Sequence, residues 1–153
     1  DTVVNGLETL SGGAVFPASG SDWVMVHDAA RPFVDPADIR KLRDEVLSAG
    51  HGAILAMPMA DTVKEASPDR RILATRDRKS LWRAATPQAF RLSELLSALR
   101  RGTEGVTDES SAMERTGHPV SVVPGSTLNF KITTPDDALI AEAIAESRLR
   151  KHP

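Results

Sequence analysis

Apolar positions along this chain switch between two periods. "DTVVNGLETL" carries Val3, Val4, Leu7 and Leu10 at the three-and-four spacing of a helical stripe. "WVMVHDAARP" reads differently: Trp23 to Val26 are continuously apolar, as in a buried strand, and the run stops at His27-Asp28. The following "DPADIRKLRDEVLSAG" predicts a helix. Asp35 caps it, Pro36 takes the first helical position, Ile39, Leu42 and Val46 share one face, and Gly50 closes it. "GAILAMPM" is a second short apolar run between glycine and proline, again a buried strand. Strand, helix, strand in that order predicts a parallel pair joined by a crossover, hence an α/β domain.

The pattern then turns polar. "DTVKEASPDRRILATRDR" holds two short extended runs around Ser67-Pro68-Asp69-Arg70, a strong turn signal. With so few apolar residues it is either a solvated surface hairpin or an arm that packs on a partner subunit, because such a hairpin is marginal alone. "FRLSELLSALRRG" is a helix with Leu92, Leu95, Leu96 and Leu99 inward and Gly102 as its stop. "TDESSAMERTG" predicts a short helix capped by Thr107, with Asp108 and Glu109 in its first turn. "VSVVPG" and "LNFKIT" are strand candidates. The last helix opens with Thr134 as cap, Pro135 next and Asp137 completing a capping box; Arg148, Arg150 and Lys151 suit its carboxyl end.

Composition narrows the function classes. The 153 residues suffice for one domain with a real core. A net charge of −2 argues against a nucleic-acid binder, and 4% aromatic residues with no tyrosine argue against a base-stacking platform. The absence of cysteine excludes disulfides, thiolate zinc sites and cysteine nucleophiles. No apolar run reaches the roughly 18 residues of a membrane helix, and no signal-peptide pattern precedes the first strand, so a cytoplasmic protein away from membranes is expected. His27, His51, His118 and His152 are scattered, with no metal-site spacing.

In open α/β sheets, ligands sit beyond the carboxyl ends of the strands. Asp28 and Arg31 lie at such an end, and Ala29 and Ala30 leave room between them. A carboxylate there suits a hard cation such as magnesium, and the Arg31 fork suits a phosphate; the plainer alternative is an Asp28–Arg31 ion pair that stabilises a turn. Polar residues recur at comparable places: Asp61-Thr62, Thr86 with Gln88, and Asp108 to Ser111. Lys131, inside apolar "LNFKIT", is either an outward strand residue or a charge aimed at a ligand. Neither a Gly-x-Ser-x-Gly elbow nor a Walker-type loop is present. The residues by themselves predict a phosphate site of unspecified purpose.

Five ordered blocks carry a resemblance: "VHDAARPFV", "MADTVKEA", "TRDRKSLWRAATPQAF", "VTDESSAMERTG" and "NFKITTPDDALIAEAI". Together they resemble the 2-C-methyl-D-erythritol 4-phosphate cytidylyltransferases of non-mevalonate isoprenoid synthesis; "HDAARP" alone would mark only the wider group of polyol-phosphate cytidylyltransferases. The resemblance implies a Rossmann-like nucleotidyltransferase sheet, mostly parallel, with a protruding β-hairpin arm over about 61–79. It further implies that residues 1–153 form one cytidylyltransferase domain lacking its N-terminal strands and the Gly-rich loop that grips the triphosphate of CTP. The implied reaction joins CTP to 2-C-methyl-D-erythritol 4-phosphate and expels pyrophosphate. By that resemblance Asp28 binds magnesium and, with Ala29 and Thr2, the nucleotide, while Arg31, Thr86 and Lys131 contact the polyol phosphate. Thr62 and Arg78 reach the neighbouring site across a homodimer joined through the arm, and Asp28, Lys131 and Arg78 carry the catalysis. Two alternatives stay open: another substrate such as ribitol 5-phosphate, or a catalytically silent dimerising or binding module. Thr62 as an ordinary strand threonine and Arg78 in a surface ion pair with Asp77 or Glu65 also stay open.

Overall fold

The computed structural model describes residues 2–13, 18–102 and 104–151; Asp1, His152 and the other remaining positions lie outside the described residues. Two periods become two kinds of element. In chain order these are α1 (Thr2–Gly12), β1 (Trp23–Val26), α2 (Pro36–Ala49), β2 (Gly52–Pro58), β3 (Val63–Ala66) and β4 (Ile72–Arg76). A single 3-10 turn at Arg78–Ser80 leads to β5 (Trp82–Arg91), α3 (Leu92–Arg100), α4 (Glu109–Arg115), β6 (Val120–Pro124) and α5 (Pro135–Lys151).

Among the described residues the main sheet has the order β1-β5-β2-β6. The strands β1, β2 and β6 run the same way, but β5 lies between β1 and β2 and is antiparallel to both. The expected parallel direction of β1 and β2 therefore holds, while their expected pairing does not. A ten-residue strand inserts between them. Its composition hides it, because Trp82 and Arg83 are exposed and Pro87 interrupts the apolar pattern.

Period-two alternation along β2 sends side chains to both faces of the sheet. Ile54 joins Phe90, the α3 leucines and Met113 on one face; Ala53, Leu55 and Met57 join Leu42 and Val46 of α2 on the other. Helix α2 starts and stops as its residues require: the Asp35 carboxylate accepts from the Ala37 amide, and Gly50 takes a left-handed φ of 74°. Strand β1 is less covered than a continuous apolar run suggests. Val24 and Val26 pack against the first cluster, but Met25 on the opposite face is exposed.

Three further expectations change. The α4 cap is Asp108 rather than Thr107, because its carboxylate accepts from the Ser111 amide while the Ser111 hydroxyl answers the cap backbone. Residues of "LNFKIT" form no strand; the segment is held by the Ile132 amide donating to the Ala30 carbonyl at 2.9 Å, away from any ladder. The hairpin arm exists as β3 and β4 with Arg70 at its turn (φ 65°), but it carries Ile72 and Leu73 about two-thirds exposed (66% and 63%). At α5, the Asp137 carboxylate gathers the Thr133 and Thr134 amides, as the capping pattern predicts.

Gly52 opens β2 beneath the fully buried Phe90 ring. A Cβ there would lie 2.3 Å from Phe90 Cδ1 and 2.6 Å from Cε1, and a ring with no exposure has nowhere to move. Gly52→Ala is expected to destabilise the fold by about 1–3 kcal/mol, the usual cost of overpacking, read as a lowered thermal midpoint.

Candidate active site

Pro87 lacks an N–H, so the β5 ladder cannot run through it unbroken. Opposite β2 the register jumps from Ile54–Gln88 to Ala56–Ala84, leaving Ala85, Thr86 and Pro87 across from Leu55 alone. A bulge of this kind re-aims side chains out of the pleat. Thr86 is buried (7% exposed) and lines a cavity of about 330 Å³ with Asp28, Arg31, Gln88, Glu109 and Lys131. Of the polar chain ends legible in the sequence, those at Asp28, Thr86 with Gln88, and Asp108-Glu109 thus meet in one place, while Asp61-Thr62 does not.

Asp28 is the electrostatic centre. Its Oδ2 receives Arg31 Nε at 3.3 Å and Lys131 Nζ at 3.1 Å. Burial pushes the Asp28 carboxyl up, but the hydrogen bonds and charges of Lys131 and then Arg31 outweigh burial and hold it below its ordinary value. The Asp28–Arg31 ion pair of the plainer alternative is present, yet a turn needs no second cation in a cavity. The two cations differ in freedom. Arg31 is 12% exposed and also donates through Nη1 to the Asn129 carbonyl, whereas Lys131 is 46% exposed and free to reorient toward a ligand.

Lys131 is positioned by its flanks. Asn129, fully buried, donates through Nδ2 to the Thr86 carbonyl at 2.7 Å, and the Ile132 amide ties to Ala30. The segment that carries the lysine is therefore pinned to both the bulge and the loop after β1. Asp108 and Glu109 reach the cavity from the start of α4. Gln88 Nε2 donates to Asp108 Oδ2 at 2.8 Å, and the Ser110 amide donates to Gln88 Oε1 at 2.8 Å. Burial, together with the negative charges of Asp108 and Asp28, raises the Glu109 carboxyl above its ordinary value.

Asp28, Arg31, Thr86 and Lys131 line one cavity, and Ala29 follows Asp28 on the exposed side of its loop. Thr2, at the exposed start of α1, does not line it. Neither do Thr62, just ahead of β3, and Arg78, whose Nη1 donates to the Ala60 carbonyl at the base of the arm. The ion pair considered for Arg78 forms instead between Arg76 and Glu65. Gln88 and Glu109, which the sequence marks only as polar residues at comparable chain ends and with no specific role, also belong to the cavity. The available signal was polarity out of place: a glutamine in a strand interior and an acid beside a helix cap.

The residues present would hold a magnesium ion through the Asp28 carboxylate. Among the described residues no three His, Asp or Glu side chains form a set that could hold an ion by themselves. Asp28 Oδ1 accepts no hydrogen bond from the described residues, which leaves one carboxylate oxygen for an ion that phosphate oxygens also ligate.

A mixed sheet with helices on both faces and a cation-lined cavity beyond its strand ends is the Rossmann-like architecture of nucleotidyltransferases. Within that class, the chain belongs to the 2-C-methyl-D-erythritol 4-phosphate cytidylyltransferase family, whose model matches residues 1–147. It is 48% identical over 148 residues to the 2-C-methyl-D-erythritol 4-phosphate cytidylyltransferase of Paraburkholderia phymatum, covering 94% of this chain and 61% of that protein. A crystal structure of a 4-diphosphocytidyl-2C-methyl-D-erythritol synthase superposes with a TM-score of 0.83 at 38% identity, over 94% of this chain and 65% of that one. The Francisella tularensis enzyme superposes with a TM-score of 0.79 at 36% identity, over 92% and 64%. The chain thus spans less than two-thirds of the length of these relatives. Among the described residues no helix is long and apolar enough to cross a membrane.

The charge balance at Asp28 can be read directly. A carboxyl with a lowered value stabilises the fold above its unfolded value, and that share is lost as pH falls through the lowered one. Lys131→Met removes the leading stabilising charge, so the Asp28 titration should move upward in carboxyl carbon NMR. Asp108 is held low against its burial by Gln88, Ser111 and Ser110 and should keep its titration unchanged.

Proposed function

We propose that the whole protein containing this chain transfers the cytidylyl group of CTP to 2-C-methyl-D-erythritol 4-phosphate in isoprenoid precursor synthesis. The observation that carries this reading is Asp28 gripped on one oxygen by Arg31 and Lys131, in a cavity that also presents Thr86, Gln88 and Glu109. Cations answer phosphates, and the acceptors answer hydroxyl groups, so the lining matches a hydroxyl-bearing phosphate better than a bare anion.

In the reaction an oxygen of the polyol phosphate attacks the α-phosphorus of CTP, the bond to the β-phosphate oxygen breaks, and pyrophosphate leaves with the electron pair. Two anions must approach in line, and catalysis of this type is mostly positioning and charge neutralisation. Lys131 is the freer cation and lowers the repulsion between the two anions; Arg31 orients the polyol phosphate through the part of its fork that Asp28 and Asn129 leave open. Asp28 would hold magnesium through Oδ1, and the ion, when bound, neutralises charge on the triphosphate. Ala29 and Thr2 belong to the nucleotide side of this reading.

The same reading makes the protein a homodimer. Thr62 and Arg78 sit at the base of an arm and outside this chain's own cavity, and Ile72 and Leu73 on the arm are exposed, as suits a limb that packs on a second copy. Thr62 and Arg78 then serve the neighbour's site.

Two measurements test this. Pyrophosphate release by the whole protein is expected with CTP and 2-C-methyl-D-erythritol 4-phosphate, and Asp28→Ala should lower turnover by about 10²–10³-fold, as expected for losing one transition-state charge contact. Turnover with ribitol 5-phosphate alone would reassign the substrate; no turnover with either points to a silent module. For the arm, mixed Arg78→Ala and Lys131→Ala subunits should regain activity that each homodimer lacks, since one of the two sites then keeps both residues. Failure to recover despite demonstrated subunit exchange would place both residues in the same subunit's site.

A further inference from the structure

His27 ends the run of β1, and its ring touches groups that build the cavity, although it does not line the cavity itself. Its Nε2 lies 3.0 Å from the Arg31 carbonyl oxygen. A carbonyl can only accept, so Nε2 carries the proton and donates it. In the neutral ring Nδ1 then offers a lone pair, and Thr86 Oγ1 lies 3.0 Å from it. The same Thr86 oxygen accepts from the Asp28 backbone amide at 2.9 Å. A hydroxyl has one proton and two lone pairs. With the proton given to His27 and one lone pair taken by Asp28, Thr86 has one lone pair left to offer. It is an acceptor, suited to a ligand's hydroxyl group and unsuited to an anionic oxygen, which Arg31 and Lys131 are placed to meet.

We propose that His27 is a positioning residue of this site: by taking the Thr86 proton it turns Thr86 into an acceptor for a substrate hydroxyl and anchors the main chain of Asp28. The identity of that substrate rests on the cytidylyltransferase reading; the hydrogen-bond relay does not. A histidine that merely closed the loop through the Arg31 carbonyl would need only its Nε2 donor. The two amide side chains separate these roles. Asparagine places an amide where Nδ1 lies, and glutamine places one where Nε2 lies.

The test uses the whole protein as wild type, His27→Asn, His27→Gln, Thr86→Val and the His27→Gln/Thr86→Val double variant. Thermal unfolding of each is recorded, with initial rates against both substrates and amide hydrogen exchange at Asp28. His27→Gln should lower kcat/KM for the polyol phosphate by about tenfold, leave the KM for CTP unchanged, and speed exchange of the Asp28 amide by about tenfold, the scale of one lost hydrogen bond. His27→Asn should recover most of both losses, and the double variant should be no worse than Thr86→Val, because His27 acts through Thr86. A folded His27→Gln protein that matches wild type, an asparagine variant as impaired as the glutamine one, or additive losses in the double variant would each overturn the proposal. Should His27→Gln fail to fold, recovery in His27→Asn set against the loss in Thr86→Val carries the same comparison. If the wild-type protein turns over neither substrate, the cytidylyltransferase reading fails. Asp28 exchange then decides the relay alone: faster in the glutamine variant only supports it, and equal in both overturns it.

Discussion

A reversed strand holds the site together. Strand β5 lies between two strands that run the other way; its pairing with β1 starts only at Gln88, and the register it keeps with β2 is broken at Ala85-Thr86-Pro87. Because proline cannot donate to a ladder, the break falls there and Thr86 leaves the pleat. From that position its hydroxyl reaches His27 and the Asp28 amide, while its carbonyl accepts from Asn129. The loop after β1 and the segment before α5 are thereby tied to one residue. The bulge adds to the direct ties between these two segments, Ile132 to Ala30 and Arg31 to the Asn129 carbonyl.

Competing electrostatic effects then set the character of the cavity. Burial alone would push Asp28 toward its neutral form, but two cations on one oxygen reverse that sign. Glu109 shows the opposite balance, since no cation among the described residues answers it and neighbouring acids add to the effect of burial. Strong cationic grip and raised carboxyl therefore coexist within one cavity. That mixture suits the proposed substrate, which would bring anionic oxygens to Arg31 and Lys131 and hydroxyl groups to the acceptors.

The arm follows a different logic. Its strands pair only with each other among the described residues, and its exposed Ile72 and Leu73 gain nothing from water. A two-stranded ribbon with exposed apolar residues on one strand is marginal alone, so its stability and its use are linked to whatever it packs against. The homodimer proposal answers both needs with one contact.

Much was legible in the chain because it depends on neighbours a few residues apart. The Asp35 and Thr134 caps, the Gly50 stop, the turn at Ser67 to Arg70 and the carboxylate at the end of β1 are local facts of chemistry and spacing. The ordered blocks around Asp28, Thr86 and Lys131 were enough to mark the family. The cap of α4 falls one position later than the sequence suggests, since Thr107 and Asp108 can both cap and the Ser111 contacts select Asp108. Strand order, the place of β5 and the absence of a strand at Lys131 required the tertiary structure. Pairing is set by which surfaces are buried together across long separations, and no local period encodes it. The hydrogen bond between Thr86 and His27 belongs to the same class: 59 positions separate the two residues, and only the fold makes them partners.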